Sequence, residues 1–174
     1  MGSEISEEFK KAIDELESLP IYTMSLGSKE LFHSNFWGWL MDQDETRSLI
    51  NLFFEEIDIS TELKVDREKG NRDITILDKD KNAYVIENKI KSSPNENQLK
   101  KYEADTEKFV RGIITGVKEP PFNLDTNWTF ISYRRIAEYL KDNVFPKVTN
   151  PDLKNVLGQY IKMIVNINII IDEC

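Results

Sequence analysis

The segment NRDITILDKDKNAYVIENK, residues 71–89, decides the fold. Residues 73–77 and 83–90 are short and rich in β-branched and aromatic side chains, a composition typical of strands. Residues 78–82 between them carry only charged and amide side chains, which favours a turn. The segment therefore predicts a β-hairpin centred on Asp80.

A hairpin centred on Asp80 places Ile74 opposite Ile86 and Ile76 opposite Tyr84, so one face is fully apolar. Side chains alternate between the two faces of a sheet, and a slip that moved a strand's apolar residues to the other face would break this match. The apolar pattern therefore predicts the register of the hairpin.

The same register brings charged residues together on the other face, where Asp73 lies opposite Glu87 and Lys89 follows on the same side. Two carboxylates placed opposite each other repel, and burial increases the cost. A shared proton, a basic neighbour such as Lys89, or a hard cation such as Mg²⁺ would offset it. A cation together with the lysine makes a hydrolytic site. The alternative is that both carboxylates mark solvated strand ends.

The rest of the sequence predicts an α/β core in which helices flank a central mixed sheet of four to five strands. Residues 167–171 fit either a strand or an extension of the last helix. The predicted helices are 4–19, 28–41, 49–57, 95–110, 135–140 and 151–164, and the further predicted strands are 59–65, 112–117 and 128–133. We expect one domain over 1–174, with an acidic helical part at 1–58, an α/β core at 59–135 and a helical part at 136–174.

Composition excludes several classes of protein. The chain has 174 residues, of which 40% are hydrophobic, so it can bury a core and is not mainly disordered. Its one cysteine, Cys174, excludes a disulfide scaffold. No apolar run approaches the roughly 18–20 residues of a membrane span. We therefore expect a cytoplasmic protein without a membrane partner.

The net charge of −8 first argues against a nucleic-acid partner, but it is unevenly distributed. Residues 1–62 contain 14 acidic and 4 basic side chains, whereas residues 63–174 contain 17 acidic and 19 basic ones. Net charge governs solubility and long-range steering and does not describe a local surface. A neutral or basic working face in the second part of the chain is therefore compatible with the sequence.

Several stretches together resemble the PD-(D/E)XK nuclease superfamily, which has the restriction-endonuclease-like fold. They are residues 71–74, residues 84–89, and Gln98 with Tyr102 in the following helix, while residues 29–36 are similar to the opening helix of one bacterial branch. The resemblance covers about residues 28–135. Arg72 stands where the superfamily's name-giving proline would be, a departure that its members often tolerate.

The resemblance implies a set of metal ligands. Asp73 and Glu87 would bind a divalent cation, Mg²⁺ or Mn²⁺, and the backbone carbonyl of Asn88 would be a further ligand. Glu30, on the first core helix, would be an additional ligand of the metal or of its water.

The resemblance also implies roles around the metal. Lys89 would position the attacking water and stabilise developing charge, and Gln98 and Tyr102 would border the site. From the residues alone, a half-buried helix face is the favoured interpretation of Gln98 and Tyr102. Other candidates have a structural or solvent-exposed alternative, and these are His33, Glu62, Arg134 and Arg135.

The sequence thus predicts a metal-dependent nuclease that hydrolyses phosphodiester bonds in DNA. The alternative is an inactive binding module of the same fold in a defence or counter-defence system, engaging a nucleic acid or a protein. A basic protein would fit the acidic N-terminal third. A homodimer is also open, because related nucleases are often dimers.

Overall fold

The computed structural model describes residues 6–25, 29–90, 92 and 95–173. Of the predicted features, the helix starts at Glu4 and Ser28 and the single cysteine, Cys174, lie outside these residues. The strands of the described part are β1 (Lys64–Lys69), β2 (Arg72–Leu77), β3 (Ala83–Lys89), β4 (Phe109–Gly116) and β5 (Trp128–Ser132). Its α-helices are α1 (Glu7–Ser18), α2 (Pro20–Met24), α3 (Glu30–Asp42), α4 (Ile50–Phe53), α5 (Glu96–Asp105), α6 (Tyr133–Tyr139) and α7 (Pro151–Asp172).

In the described part of the chain the five strands form one sheet in the order β1-β2-β3-β4-β5. The pairs β1–β2 and β2–β3 are antiparallel, whereas β3–β4 and β4–β5 are parallel. Helix α5 makes the crossover between the parallel strands β3 and β4, which cannot be joined by a tight turn. The predicted central mixed sheet with flanking helices is confirmed.

The hairpin of β2 and β3 has the predicted register. Ile74 pairs with Ile86 and Ile76 pairs with Tyr84. The three isoleucines are fully buried, on the sheet face that packs against the main hydrophobic core. The regular ladder runs from Leu77 to Ile74, so it ends one residue before Asp73.

The two faces of β3 contact different cores, because its side chains alternate. Ile86 belongs to the main core, which α3, α6 and α7 cover. Val85 belongs to a smaller cluster with Leu99 and Tyr102 of α5 and with Trp128 of β5. A strand buried on both faces places its C-terminal residues between two helical layers, and this is where Glu87 and Lys89 lie.

The predicted strand at 59–65 is wrong, because the first strand is Lys64–Lys69. Ile59 and Leu63 pack partly buried against the main core from irregular backbone. The true strand is a mostly exposed edge strand rich in charge, and charged edges lack the apolar alternation that marks central strands.

Three predicted helices have different extents. The helix at 95–110 is α-helical only over Glu96–Asp105, and β4 begins at Phe109. The helix at 49–57 is α-helical only over Ile50–Phe53, because the backbone of Phe54 is not helical and the Asn51 side-chain amide donates to the Ile57 carbonyl at 3.0 Å. The last helix continues to Asp172, so residues 167–171 extend it. No helix of the described residues is long and apolar enough to cross a membrane.

Candidate active site

Asp73, Glu87 and Lys89 meet where β2 begins and β3 ends. The Asn88 backbone N–H donates to Asp73 Oδ2 at 2.6 Å. Glu87 is 2% exposed, and its Oε1 lies 2.7 Å from Lys89 Nζ. The side chains that the predicted register placed on one face are therefore gathered at one end of the hairpin.

The carboxyl groups of Asp73 and Glu87 are electrostatically strained. Burial raises the pKa of Asp73 to about 6, although the Asn88 N–H and Lys89 oppose the shift. Burial and then the charge of Asp73 raise the pKa of Glu87 to about 7. Burial works against the charged form of Lys89, but the hydrogen bond and charge of Glu87 outweigh it and raise the pKa of Lys89. The lysine therefore stays protonated. Its single positive charge does not compensate both neighbouring carboxylates.

The donor set fits a hard divalent cation. Glu87 Oε2 is buried and accepts no hydrogen bond from any described residue. Mg²⁺ is commonly held by one or two carboxylates and several waters. Asp73, Glu87 and the Asn88 carbonyl supply such oxygens. Among the residues that the structure describes, no three His, Cys, Asp or Glu side chains group closely enough to hold a metal ion.

Glu30 lies at the edge of this site, as the first residue of α3. Its Oε1 accepts hydrogen bonds from the Ser92 N–H at 3.1 Å and from the Ser92 hydroxyl at 2.8 Å. Its charge contributes to the raised pKa values of Asp73 and Lys89. Glu30 is thus within electrostatic reach of the carboxylate pair, and its role as a ligand stays a prediction.

Gln98 and Tyr102 face the carboxylates from α5. Gln98 Nε2 donates to Glu87 Oε1 at 2.9 Å and also to the Tyr102 hydroxyl. The Tyr102 hydroxyl donates to the Asn71 carbonyl at the start of β2. Tyr102 is 4% exposed, so this helix face both fills the smaller core and contacts the site. Gln98 and Tyr102 therefore belong to a packed helix face and also border the carboxylates.

Arg72, which replaces the superfamily's proline, points away from the carboxylates to the end of α5. Its Nη1 donates to Thr106 Oγ1 at 2.9 Å. The arginine therefore helps to fix α5 against β2.

The other sequence candidates lie apart from the site. Glu62 is exposed before β1, at the end of the hairpin opposite Asp73, because Lys64 pairs with Leu77. His33 is fully buried, with Nδ1 2.8 Å from the Tyr160 hydroxyl.

Two arginines after the last strand form surface ion pairs. Arg134 pairs with Asp172, and Arg135 lies 3.8 Å from Glu138. Both arginines are largely exposed, so they fit the surface-charge interpretation of the sequence.

Sequence reasoning named the Asn88 carbonyl but missed its side chain, which is fully buried and hydrogen-bonded. A signal was present, because Asn88 is the polar member of an otherwise apolar face with Ile86 and Ile90. It also missed the Asn71 carbonyl and Ser92, whose roles depend on contacts with distant helices.

A comparison with protein-family models matched residues 44–162 to the PD-(D/E)XK nuclease superfamily. The match spans more than half of the chain, so the chain belongs to that superfamily. The five-stranded mixed sheet flanked by helices is its restriction-endonuclease-like α/β fold. A search of curated proteins and a search of solved structures each found no match.

The raised pKa values predict how the stability of the metal-free protein depends on pH. Between about pH 4.5 and pH 7 the folded chain retains a proton on Glu87 that the unfolded chain has released. A state that binds more protons loses relative stability as the pH rises, so this contribution destabilises the fold progressively across that window. Urea denaturation in EDTA at several pH values should show a steeper fall for wild type than for Glu87→Gln.

The matched control for this comparison is Glu62→Gln, which removes an exposed carboxylate. Its pH profile should follow that of wild type. Parallel profiles for wild type and Glu87→Gln would contradict the expectation.

Proposed function

We propose that this chain hydrolyses phosphodiester bonds in nucleic acid, DNA in the first place, with a divalent cation at Asp73 and Glu87. The observation that carries the proposal is the pair of carboxylates, Glu87 buried and Asp73 half-buried, with Lys89 Nζ 2.7 Å from Glu87 Oε1. Buried like charges are costly, and such an arrangement is typical of functional sites.

Asp73, Glu87 and the Asn88 carbonyl would hold the cation, and Glu30 would bind a water molecule of the cation. When bound, Mg²⁺ or Mn²⁺ would polarise the phosphate and lower the pKa of a water molecule. Its positive charge would also offset the repulsion that raises the pKa of Glu87.

Lys89 acts through its charge. Its raised pKa keeps the ammonium protonated at neutral pH, so it donates hydrogen bonds and does not accept a proton. An ammonium in this position orients a water and stabilises the negative charge that develops on the phosphate oxygens.

The neighbouring groups each occupy one carboxylate oxygen. Gln98 Nε2 donates to Glu87 Oε1, and the Asn88 N–H donates to Asp73 Oδ2. Glu87 Oε2 then has no hydrogen bond among the described residues and is available to a cation. This orientation of ligands by their hydrogen-bond partners is general in metal sites.

A nucleic-acid substrate is compatible with the charge distribution. Residues 63–174, which contain Asp73, Glu87 and Lys89, carry 19 basic and 17 acidic side chains, so the net negative charge of the chain comes from its first third. Membership of a nuclease superfamily adds support for a phosphodiester substrate.

The test is cleavage of supercoiled plasmid DNA in Mg²⁺, Mn²⁺ or EDTA, with a structured RNA and single-stranded DNA in parallel, and calorimetric titration of Mn²⁺ into the protein. We expect nicking of the plasmid that requires the metal, together with saturable Mn²⁺ binding. Absence of both cleavage and metal binding would overturn the proposal. Nucleic-acid binding without cleavage or metal binding would favour the inactive module.

A further inference from the structure

The side chain of Asn88 lies on the sheet face opposite the carboxylates. Glu87 and Lys89 on either side of it face α5, whereas Asn88 contacts α3 and is fully buried. A buried amide is costly unless its donors and acceptor are used. An isoleucine or leucine would be the ordinary choice on the face that carries Ile86.

Hydrogen bonds to three other elements satisfy the amide. Nδ2 donates to the Glu30 carbonyl of α3 at 2.9 Å. Oδ1 accepts from Thr115 Oγ1 of β4 at 2.9 Å and from the Tyr133 hydroxyl of α6 at 2.6 Å. A carbonyl oxygen can only accept a hydrogen bond, so the amide nitrogen of Asn88 and not its oxygen must face the Glu30 carbonyl. These contacts therefore fix the orientation of the amide.

The partners of Asn88 are themselves rigidly placed. Thr115 and Tyr133 are fully buried, and the ring of Tyr133 packs edge-to-face on His33 of α3 with centroids 5.1 Å apart. A buried polar group that makes hydrogen bonds to three elements of a packed core specifies one arrangement of the elements it joins. Asn88 therefore fixes the first residue of α3 relative to β3.

The same residue also acts on the other side of the sheet through its backbone. Its N–H holds Asp73 Oδ2 at 2.6 Å. The Glu30 carboxylate, at the residue whose carbonyl Asn88 holds, accepts hydrogen bonds from Ser92, three residues after Lys89, so it lies at the end of β3 that carries the site. One residue thus connects both sides of the site.

We infer that Asn88 is a positioning residue whose side-chain amide sets Glu30 against the Asp73–Glu87 pair and thereby strengthens binding of a divalent cation. This inference rests on the proposed function. It assigns a role to the asparagine of the Glu87-Asn88-Lys89 tripeptide. A leucine of similar size could not fill this role, because it cannot donate a hydrogen bond to the Glu30 carbonyl. Removal of a hydrogen-bond partner behind a metal ligand typically costs about 10–100-fold in metal affinity.

The experiment is a double-mutant cycle on Mn²⁺ affinity, with Asn88→Leu, Glu30→Gln and the two combined. Calorimetry gives the Kd, and thermal denaturation in EDTA gives the stability of each folded variant. We expect each single change to weaken Mn²⁺ binding by about 10-fold. The Mn²⁺ Kd of the double variant should equal that of the weaker-binding single variant to within about twofold, because Asn88 acts through Glu30.

A purely structural asparagine would give a different result. Asn88→Leu would then lower the melting temperature in EDTA and leave the Kd unchanged, or weaken binding by the same factor with and without Glu30→Gln. Either result would overturn the inference. The matched control is Asn166→Leu, which makes the same change at a buried asparagine of α7 that donates to Glu15 and lies outside the site. Its Kd should stay within about threefold of wild type.

Two further arms keep the test decisive. If Asn88→Leu does not fold, Asn88→Ser replaces it, since serine is smaller and cannot reach the Glu30 carbonyl as the amide does, and the same pattern is expected. Wild type that binds neither Mn²⁺ nor Mg²⁺ would overturn the proposed function and this inference together. Wild type that binds Mn²⁺ with additive effects in the cycle would overturn the positioning role alone.

Discussion

Glu87→Gln is expected to abolish measurable Mg²⁺ binding and to reduce plasmid cleavage by about 10³-fold, a loss of about 4 kcal/mol in transition-state stabilisation. Glutamine keeps the size of Glu87 and an oxygen for the Gln98 amide, which donates at 2.9 Å. It removes the negative charge and replaces one carboxylate oxygen by a donor, and amide nitrogens do not bind hard cations. The chemistry should therefore be lost while the fold is retained.

The same substitution should raise the stability of the metal-free protein at pH 8. The carboxylate of Glu87 is 2% exposed and lies near Asp73, whose charge raises the pKa of Glu87. Neutral glutamine removes that repulsion, although Lys89 loses its ion-pair partner. Loss of function with a gain in stability is the signature of a site that the fold maintains at a cost.

Three measurements check this expectation: plasmid cleavage rates, Mn²⁺ calorimetry and urea denaturation in EDTA. Glu62→Gln is the matched control, because Glu62 is exposed at the far end of the hairpin. It should cleave and bind metal like wild type. A Glu87→Gln protein that retains wild-type Mn²⁺ affinity would remove Glu87 from the metal site.

The hairpin could be predicted because its information is local. Ile74, Ile76, Tyr84 and Ile86 alternate on one face, and the polar turn at 78–82 fixes which of them pair. Once the register is known, the proximity of Asp73 and Glu87 follows from the period of two along a strand. The centre of the site was therefore accessible from 19 residues of sequence.

The surroundings of the site could not be predicted in this way, because they depend on contacts between distant segments. The bond from Asn88 to Glu30 spans 58 residues and the bond from Tyr133 to Asn88 spans 45. No local pattern fixes such pairs; tertiary packing of α3 and α6 does. The position of β1 was missed for another reason, since a charged edge strand carries no apolar alternation.

The acidic N-terminal third has at least one structural use. Glu45 accepts hydrogen bonds from the Thr149 and Asn150 N–H groups before α7, and these bonds lower the pKa of the Glu45 carboxyl. One of its 14 acidic side chains thus anchors the start of the last helix. The remaining net negative charge of residues 1–62 is the feature for which the sequence predicted a basic protein partner.

Lys89→Met is expected to reduce the rate of plasmid cleavage by about 10³-fold while Mn²⁺ affinity changes by less than about 10-fold. Methionine retains most of the length of the lysine and removes its charge. The Lys89 side chain is only 15% exposed, so its ammonium acts in a partly dry environment where electrostatic stabilisation is strong. Because a cation at Asp73 and Glu87 can supply positive charge to those carboxylates, binding should survive where transition-state stabilisation does not.

Lys89→Arg and Lys101→Met separate this role from general electrostatics. Arginine keeps the charge but is larger and planar, so we expect only partial recovery of the rate. Lys101 is exposed on α5, and its replacement removes one positive charge without touching the site. Lys101→Met should therefore cleave within about threefold of wild type at moderate salt, where screening limits the effect of one exposed charge. Wild-type cleavage by Lys89→Met would show that Lys89 takes no part in the chemistry. A loss explained wholly by weaker Mn²⁺ binding would show that Lys89 acts by holding the metal site together.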